Sequence, residues 1–217
     1  METKDEKVLV LYSGGRDSSV ASLLLAKEGY HVILFTYQAG LPELVGTNGD
    51  SAPNIRHQEL LRIFPKNIDS HRVVEGNAYL IRELAIKKTN TEHIVYPIAL
   101  ALAVHSGAIV YCLKNNIKTV ACGYSGYQSI KDQYIEQRSD FALLMKNFLA
   151  EYGITYLMPV IDKNEEEVKD TLEKHGISSN SLENKSLFGG IPFEVSKALA
   201  YWESVLPICR EFIEKTK

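Results

Sequence analysis

The chain has 217 residues, 45% hydrophobic and 24% charged, which excludes disordered, collagen-like and disulfide-scaffold proteins and provides a core for one large domain over 1–217. A formal charge of −3, with a pI near 6.1, removes the basic field that a general nucleic-acid coat requires, so nucleic acid is not expected as a partner. Three scattered cysteines, Cys112, Cys122 and Cys209, supply neither a disulfide framework nor a paired zinc site, and the mixed-charge amino terminus lacks a signal-peptide pattern, so a reduced, cytoplasmic setting is expected.

Val8 to Tyr12 is a continuous apolar run stopped by Ser-Gly-Gly, the pattern of a strand covered on both faces. A short helix follows, capped by Asp17 or Ser18 and stopped at Gly29. Val32 to Tyr37 is a second strand, Arg56 to Phe64 a helix, and Arg72 to Val74 a weaker third strand. Ala99 to Asn115 is apolar nearly all round and therefore an enclosed helix; His105, Ser106 and Gly107 interrupt it short of an unbroken membrane span. Thr119 to Cys122 gives a fourth strand, Tyr134 to Tyr152 a helix and Thr155 to Met158 a fifth strand. Glu165 to His175 is a charged helix, and 176–217 is a helical extension broken at Pro207. Strands alternating with helices predict an α/β, Rossmann-like parallel sheet of about five strands with helices on both faces. Three long loops, 38–54, 75–97 and 124–133, follow strand ends, where such folds bind ligands.

Chemistry concentrates at Ser13-Gly14-Gly15-Arg16-Asp17-Ser18. Consecutive glycines let the backbone approach an anion, the following helix points unpaired amides at it, and the hydroxyls of Ser13 and Ser18 add donors. The spacing is neither a Walker A loop nor a GxGxxG dinucleotide turn. The run resembles the SGGxDS signature of the PP-loop ATP pyrophosphatases, the adenine nucleotide alpha hydrolase-like group. That resemblance implies ATP cleaved between the α and β phosphates with Mg2+, pyrophosphate held by Ser13, Gly14, Gly15, Asp17 and Ser18, and Asp17 as magnesium partner. Arg16 fills the variable position and either touches phosphate or faces solvent. The end of the second strand, Thr36 and Tyr37, is where the group places adenine.

Within that group the chain resembles the 7-cyano-7-deazaguanine synthases: Arg56-His57-Gln58-Glu59 is similar to their Arg-His-x-x-Glu stretch, Gly123-Tyr124-Ser125-Gly126-Tyr127 to their Asp-Tyr-Ser-Gly-Tyr loop, and Met158-Pro159 with Lys163 to a segment near their carboxyl end. The resemblance implies a small deazapurine carboxylic acid, activated by adenylation and passed to ammonia or another amine. His57, Tyr124, Ser125, Gly126 and Tyr127 would line the substrate, Gly123 would border the nucleotide, and Lys163 would neutralise developing charge. Half-buried packing for the tyrosines, a helix cap for His57 and a solvated helix start for Lys163 are the plainer alternatives.

The departures concern the substrate. The family's four-cysteine zinc site has Leu187 at its first position here, so no zinc is expected. Leu199, Trp202, Val205, Leu206 and Phe212 either replace it with apolar packing or form a homodimer surface. Pro97-Ile98-Ala99-Leu100 lacks two polar residues of the family pattern, and Ser129-Ile130-Lys131 replaces an expected Asp-Cys-Arg run. The leading expectation is a ligase forming AMP and pyrophosphate. The alternatives are a tRNA-modifying PP-loop enzyme and a non-catalytic adenine-nucleotide sensor.

Overall fold

Each apolar run becomes a strand because it can be buried on both sides at once. In the computed structural model, which describes residues 6–38, 50–89, 95–130, 132–180 and 194–217, five strands form one parallel sheet. They are β1 (Lys7–Leu11), β2 (His31–Tyr37), β3 (Val73–Glu75), β4 (Thr119–Ala121) and β5 (Thr155–Leu157), in the order β3-β2-β1-β4-β5. Register runs from Lys7↔His31 to Leu11↔Phe35 on one side of β1, and through Val10↔Ala121 on the other. The two-residue period sorts side chains between two cores: Val8, Val10, Val32 and Leu34 join one, Leu9, Ile33 and Phe35 the other.

The first core is covered by α1 (Arg16–Lys27), α2 (Ala52–Ile63) and α7 (Glu165–Lys174). The second is covered by α4 (Tyr96–Asn115), α6 (Ser139–Ala150) and α8 (Val195–Thr216), with α3 (Ala78–Ile81) running into a π-helical turn at Arg82–Ile86. Two short elements, α5 (Gly126–Ser129) and a 3-10 segment at Asp132–Gln137, follow β4. The α4 helix is long and apolar enough to cross a bilayer by length and composition, yet it is mostly buried, lying against the sheet and α8. Gly107 lets it close on the sheet, since a Cβ there would meet the Tyr37 ring at 3.2 Å. Asn116, left-handed at φ 53°, ends it. Leu102 is fully buried at its centre, so Leu102→Ala would cost about 2–5 kcal/mol.

Several boundaries differ from those predicted. The α1 helix starts at Arg16 with Gly15 as N-cap and no side-chain cap, so Asp17 and Ser18 lie inside its first turn. Pro53, favoured where an N–H is not needed, starts α2 before Arg56. The helix expected over 134–152 is two pieces, because Tyr134 is non-helical (φ −122°, ψ 53°) and Arg138 is extended. Pro207 does not break α8: Val205 and Cys209 on either side are fully buried, and their packing outweighs one lost hydrogen bond. Trp202 is buried edge-on against Phe141 at 5.9 Å, so the apolar residues of this helix serve packing within the chain. Leu187 and the Ser186–Gly190 stretch lie outside the described residues.

From β1 the chain builds outward through β2 to β3, then returns across β1 to lay down β4 on its other side. That reversal falls between β1 and β4, and the carboxyl ends of the strands at such a reversal are where parallel α/β sheets bind ligands.

Candidate active site

The turn after β1 is closed by its own hydrogen bonds. The Gly15 amide donates to Ser13 Oγ (3.2 Å), the Ser13 and Ser18 hydroxyls lie 3.2 Å apart, and Ser18 Oγ donates to the Gly15 carbonyl (3.2 Å). With Ser18 donating to Gly15, Ser13 is the donor between the hydroxyls, and the ring of bonds is complete. Ser13 Oγ thus occupies the acceptor position that an anion oxygen would take at the Gly15 amide. Gly14 has φ 77°, which favours glycine, and a Cβ there would lie 2.4 Å from the Pro53 nitrogen. The amino ends of α1 and α2 therefore meet at this turn, each favouring negative charge by about 0.3–1 kcal/mol.

From beyond β4, Gly123 presses against the same turn: a Cβ there would sit 2.4 Å from the Ser18 nitrogen. Only a glycine at the end of β4 allows that approach. Three residues on, Gly126 packs on the Ile161 carbonyl, with a Cβ distance of 2.5 Å. These two contacts fix Tyr127, whose hydroxyl lies 2.9 and 3.0 Å from the two Asp17 carboxylate oxygens; Gln128 Nε2 donates to one of them at 3.3 Å. Asp17 is 6% exposed. Burial and the Asp17 charge push the Tyr127 hydroxyl well above the usual phenol range, so it remains a donor.

The other predicted residues fall into two groups. Arg16 reaches Glu165 at 3.2 Å and ties the turn to α7; Lys163 stands two residues before that glutamate, on the turn after β5 that carries Ile161. Thr36 donates to the Tyr12 carbonyl at 2.7 Å, joining the ends of β2 and β1 beneath the turn. The Tyr37 hydroxyl donates to the Asn77 carbonyl (3.1 Å), and burial raises it to about 12. His57 stands apart: its Nε2–H donates to the Asp69 carbonyl at 2.8 Å, and the Asp69 amide bonds Val32 near the start of β2. Arg56, beside it, is fully buried on Glu59 (2.8 Å) and the Asn180 carbonyl (2.7 Å).

His105 is held by the Ala101 carbonyl at Nδ1 (2.7 Å) and Tyr156 Oη at Nε2 (2.8 Å), a neutral ring that burial lowers to about 4. All three cysteines are buried, and burial raises each thiol to about 12. Sequence reasoning missed Gln128, Glu136 and Glu165. The last was legible as a carboxylate at a helix start; the others sit on α5 and the 3-10 segment, short elements whose geometry only the folded chain supplies. The residues at the turn fit a phosphate chain, since amides, hydroxyls and two helix ends converge where Ser13 Oγ stands in for an anion. Asp17 provides the carboxylate that a magnesium ion bound with phosphates requires.

No protein-family model and no curated protein matches the sequence. Among solved structures, the chain is similar to a 4-thiouridine synthetase in complex with RNA and bound ATP, at a TM-score of 0.61 and 15% identity. That likeness covers 96% of this chain and 53% of the other, about half its length. It is also similar to the U34-tRNA thiolase NcsA from Methanococcus maripaludis with its 4Fe-4S cluster, at a TM-score of 0.53 and 12% identity over 99% of this chain and 74% of that one. A predicted tRNA methyltransferase subunit from Methanocaldococcus jannaschii aligns at a TM-score of 0.47 and 18% identity over 80% and 90%. At such identities, the synthetase and the thiolase establish a shared fold: a parallel α/β sheet with helices on both faces.

Proposed function

We propose that the chain is an ATP-dependent ligase that forms AMP and pyrophosphate, activating the carboxylate of a small planar acid of the 7-carboxy-7-deazaguanine type and passing it to ammonia or another amine. The observation that carries this reading is the ring of hydrogen bonds at the turn after β1, in which a serine hydroxyl takes an anion's place at the Gly15 amide. The Ser13 and Ser18 hydroxyls and the Gly15 amide would hold the departing pyrophosphate as a carboxylate oxygen bonds to the α-phosphorus. The amine nitrogen then bonds to the acyl carbon, AMP departs, and the nitrogen loses a proton to give the amide. A carboxylate is already a nucleophile, so positioning and charge stabilisation suffice. Asp17 would hold magnesium, which neutralises phosphate charge, and Lys163 would oppose the remainder.

A second reading is modification of RNA, favoured by the fold shared with a thiouridine synthetase and a tRNA thiolase. Against sulfur transfer through a protein thiolate, every cysteine here is buried with its thiol raised to about 12. Measuring pyrophosphate release from MgATP separates the readings. Release on adding 7-carboxy-7-deazaguanine supports the ligase. Release only on adding tRNA supports the second, and nucleotide binding without release under either condition contradicts both.

A further inference from the structure

Asp17 is nearly closed off from water, and two consecutive residues of α5 donate to its carboxylate. They do so differently. The Tyr127 hydroxyl stands almost equidistant from the two oxygens, 2.9 Å from Oδ1 and 3.0 Å from Oδ2, the place a cation shared by both would take. Gln128 Nε2 reaches Oδ2 alone, at 3.3 Å.

The backbone beneath both side chains is held in place: the Gln128 amide donates to the Ser125 carbonyl at 3.2 Å, and Gly126 closes on the Ile161 carbonyl. The Tyr127 side chain is only half-buried, so it can turn aside without moving α5. Among the described residues no three His, Cys, Asp or Glu side chains gather into a metal cluster. A cation at this turn would therefore rest on the Asp17 carboxylate, water and the oxygens of a bound phosphate chain. With one protein carboxylate, the groups that donate to it set how readily a cation is accepted. A carboxylate offers about four acceptor sites, so Gln128 can keep its bond while a cation enters.

We propose that Tyr127 and Gln128 are positioning residues of Asp17 with opposed roles: the Tyr127 hydroxyl holds the cation's place and yields it, while Gln128 keeps the carboxylate oriented as the cation binds. The inference rests on the reading of Asp17 as a magnesium partner, and it gives Tyr127 a role other than the substrate lining that its sequence context suggests. A purely structural tie between the two segments would make both losses act in the same direction.

Manganese alone, added to the 15N-labelled full chain without nucleotide or phosphate, tests it through paramagnetic broadening of the amides. Broadening centred on Asp17 and Ser18 is expected at roughly 3- to 10-fold lower Mn2+ in Tyr127→Phe than in wild type, and at roughly 3- to 10-fold higher Mn2+ in Gln128→Leu. Turnover is not the readout, since losing the tie to α5 slows it whichever role the hydroxyl has. Wild type supplies a second measurement that needs no variant: with tyrosines labelled at 13Cζ, the Tyr127 signal should move on adding Mg2+ with the same midpoint as the Asp17 amide. Unchanged or same-direction responses in the two folded variants overturn the proposal. So does broadening confined to the glutamates of α7, or a Tyr127 signal that stays still while the Asp17 amide moves. Failure of the turn after β1 to hold phosphate would appear separately, as absent pyrophosphate binding with the opposed manganese responses intact.

Discussion

The two rims that follow β1 and β4 resolve the same problem in opposite ways. After β1, the hydrogen-bonding atoms of Ser13, Gly15 and Ser18 satisfy one another, so a phosphate bound as proposed would exchange an internal hydroxyl for one of its oxygens. After β4, Ser125 Oγ and Glu136 Oε2 are buried without hydrogen-bond geometry to a partner, so that rim carries a cost. A self-satisfied site suits a phosphate chain, whose charge and many oxygens repay the exchange. Tyr127 links the two rims through its hydrogen bonds to Asp17.

Removing the shared carboxylate is the most severe way to break this contrast. Asp17→Ala is expected to lower pyrophosphate release by at least about 100-fold with an unchanged circular dichroism spectrum. Gly123→Ala should come next, because its Cβ would sit 2.4 Å from the Ser18 nitrogen: about 10-fold weaker ATP binding by calorimetry, with about 1–3 kcal/mol lost in urea unfolding. Tyr127→Phe leaves Gln128 on Asp17 and should cost roughly 3- to 10-fold in release rate.

The last effect concerns stability, has the opposite sign and dwindles to nothing at low pH. Glu136 is raised from 4.5 to about 7, so its contribution is fully present below pH 4.5 and lost as pH rises through 7. His105 is lowered from 6.5 to about 4, so its contribution is present above pH 6.5 and lost as pH falls toward 4. The two slopes oppose each other between about pH 4.5 and 6.5. Glu136→Gln should therefore gain up to about 3 kcal/mol over wild type at pH 8, shrinking to nothing near pH 4, in urea titrations across that range.

Much of the sheet was readable because its central strands are covered on both faces and therefore appear as unbroken apolar runs; Val8 to Tyr12 and Val32 to Tyr37 fall within one residue of β1 and β2. The turn after β1 was readable because its glycines and hydroxyls lie in six consecutive residues. The β4 rim was only half so. Tyr127 could be singled out beside glycines, but its bond to Asp17 spans 110 positions and depends on Gly123 and Gly126 closing on other segments. Glu136 gave no signal at all, since its meaning comes from a kink at Tyr134 that turned an expected helix into a 3-10 segment. His57 shows the reverse: its place in a motif-like stretch draws attention to it, while its bond to the Asp69 carbonyl, near the start of β2, is a contact that only the folded chain displays.

The most direct test of the central claim is a 1H–15N NMR titration of the labelled chain with magnesium pyrophosphate. Binding at the turn requires saturable shifts centred on the amides of Gly15 and its neighbours from Ser13 to Ser18, with the Gly15 amide moving most as it leaves the Ser13 hydroxyl for phosphate. Unmoved amides in that turn at millimolar pyrophosphate, or shifts confined to another part of the chain, would contradict it.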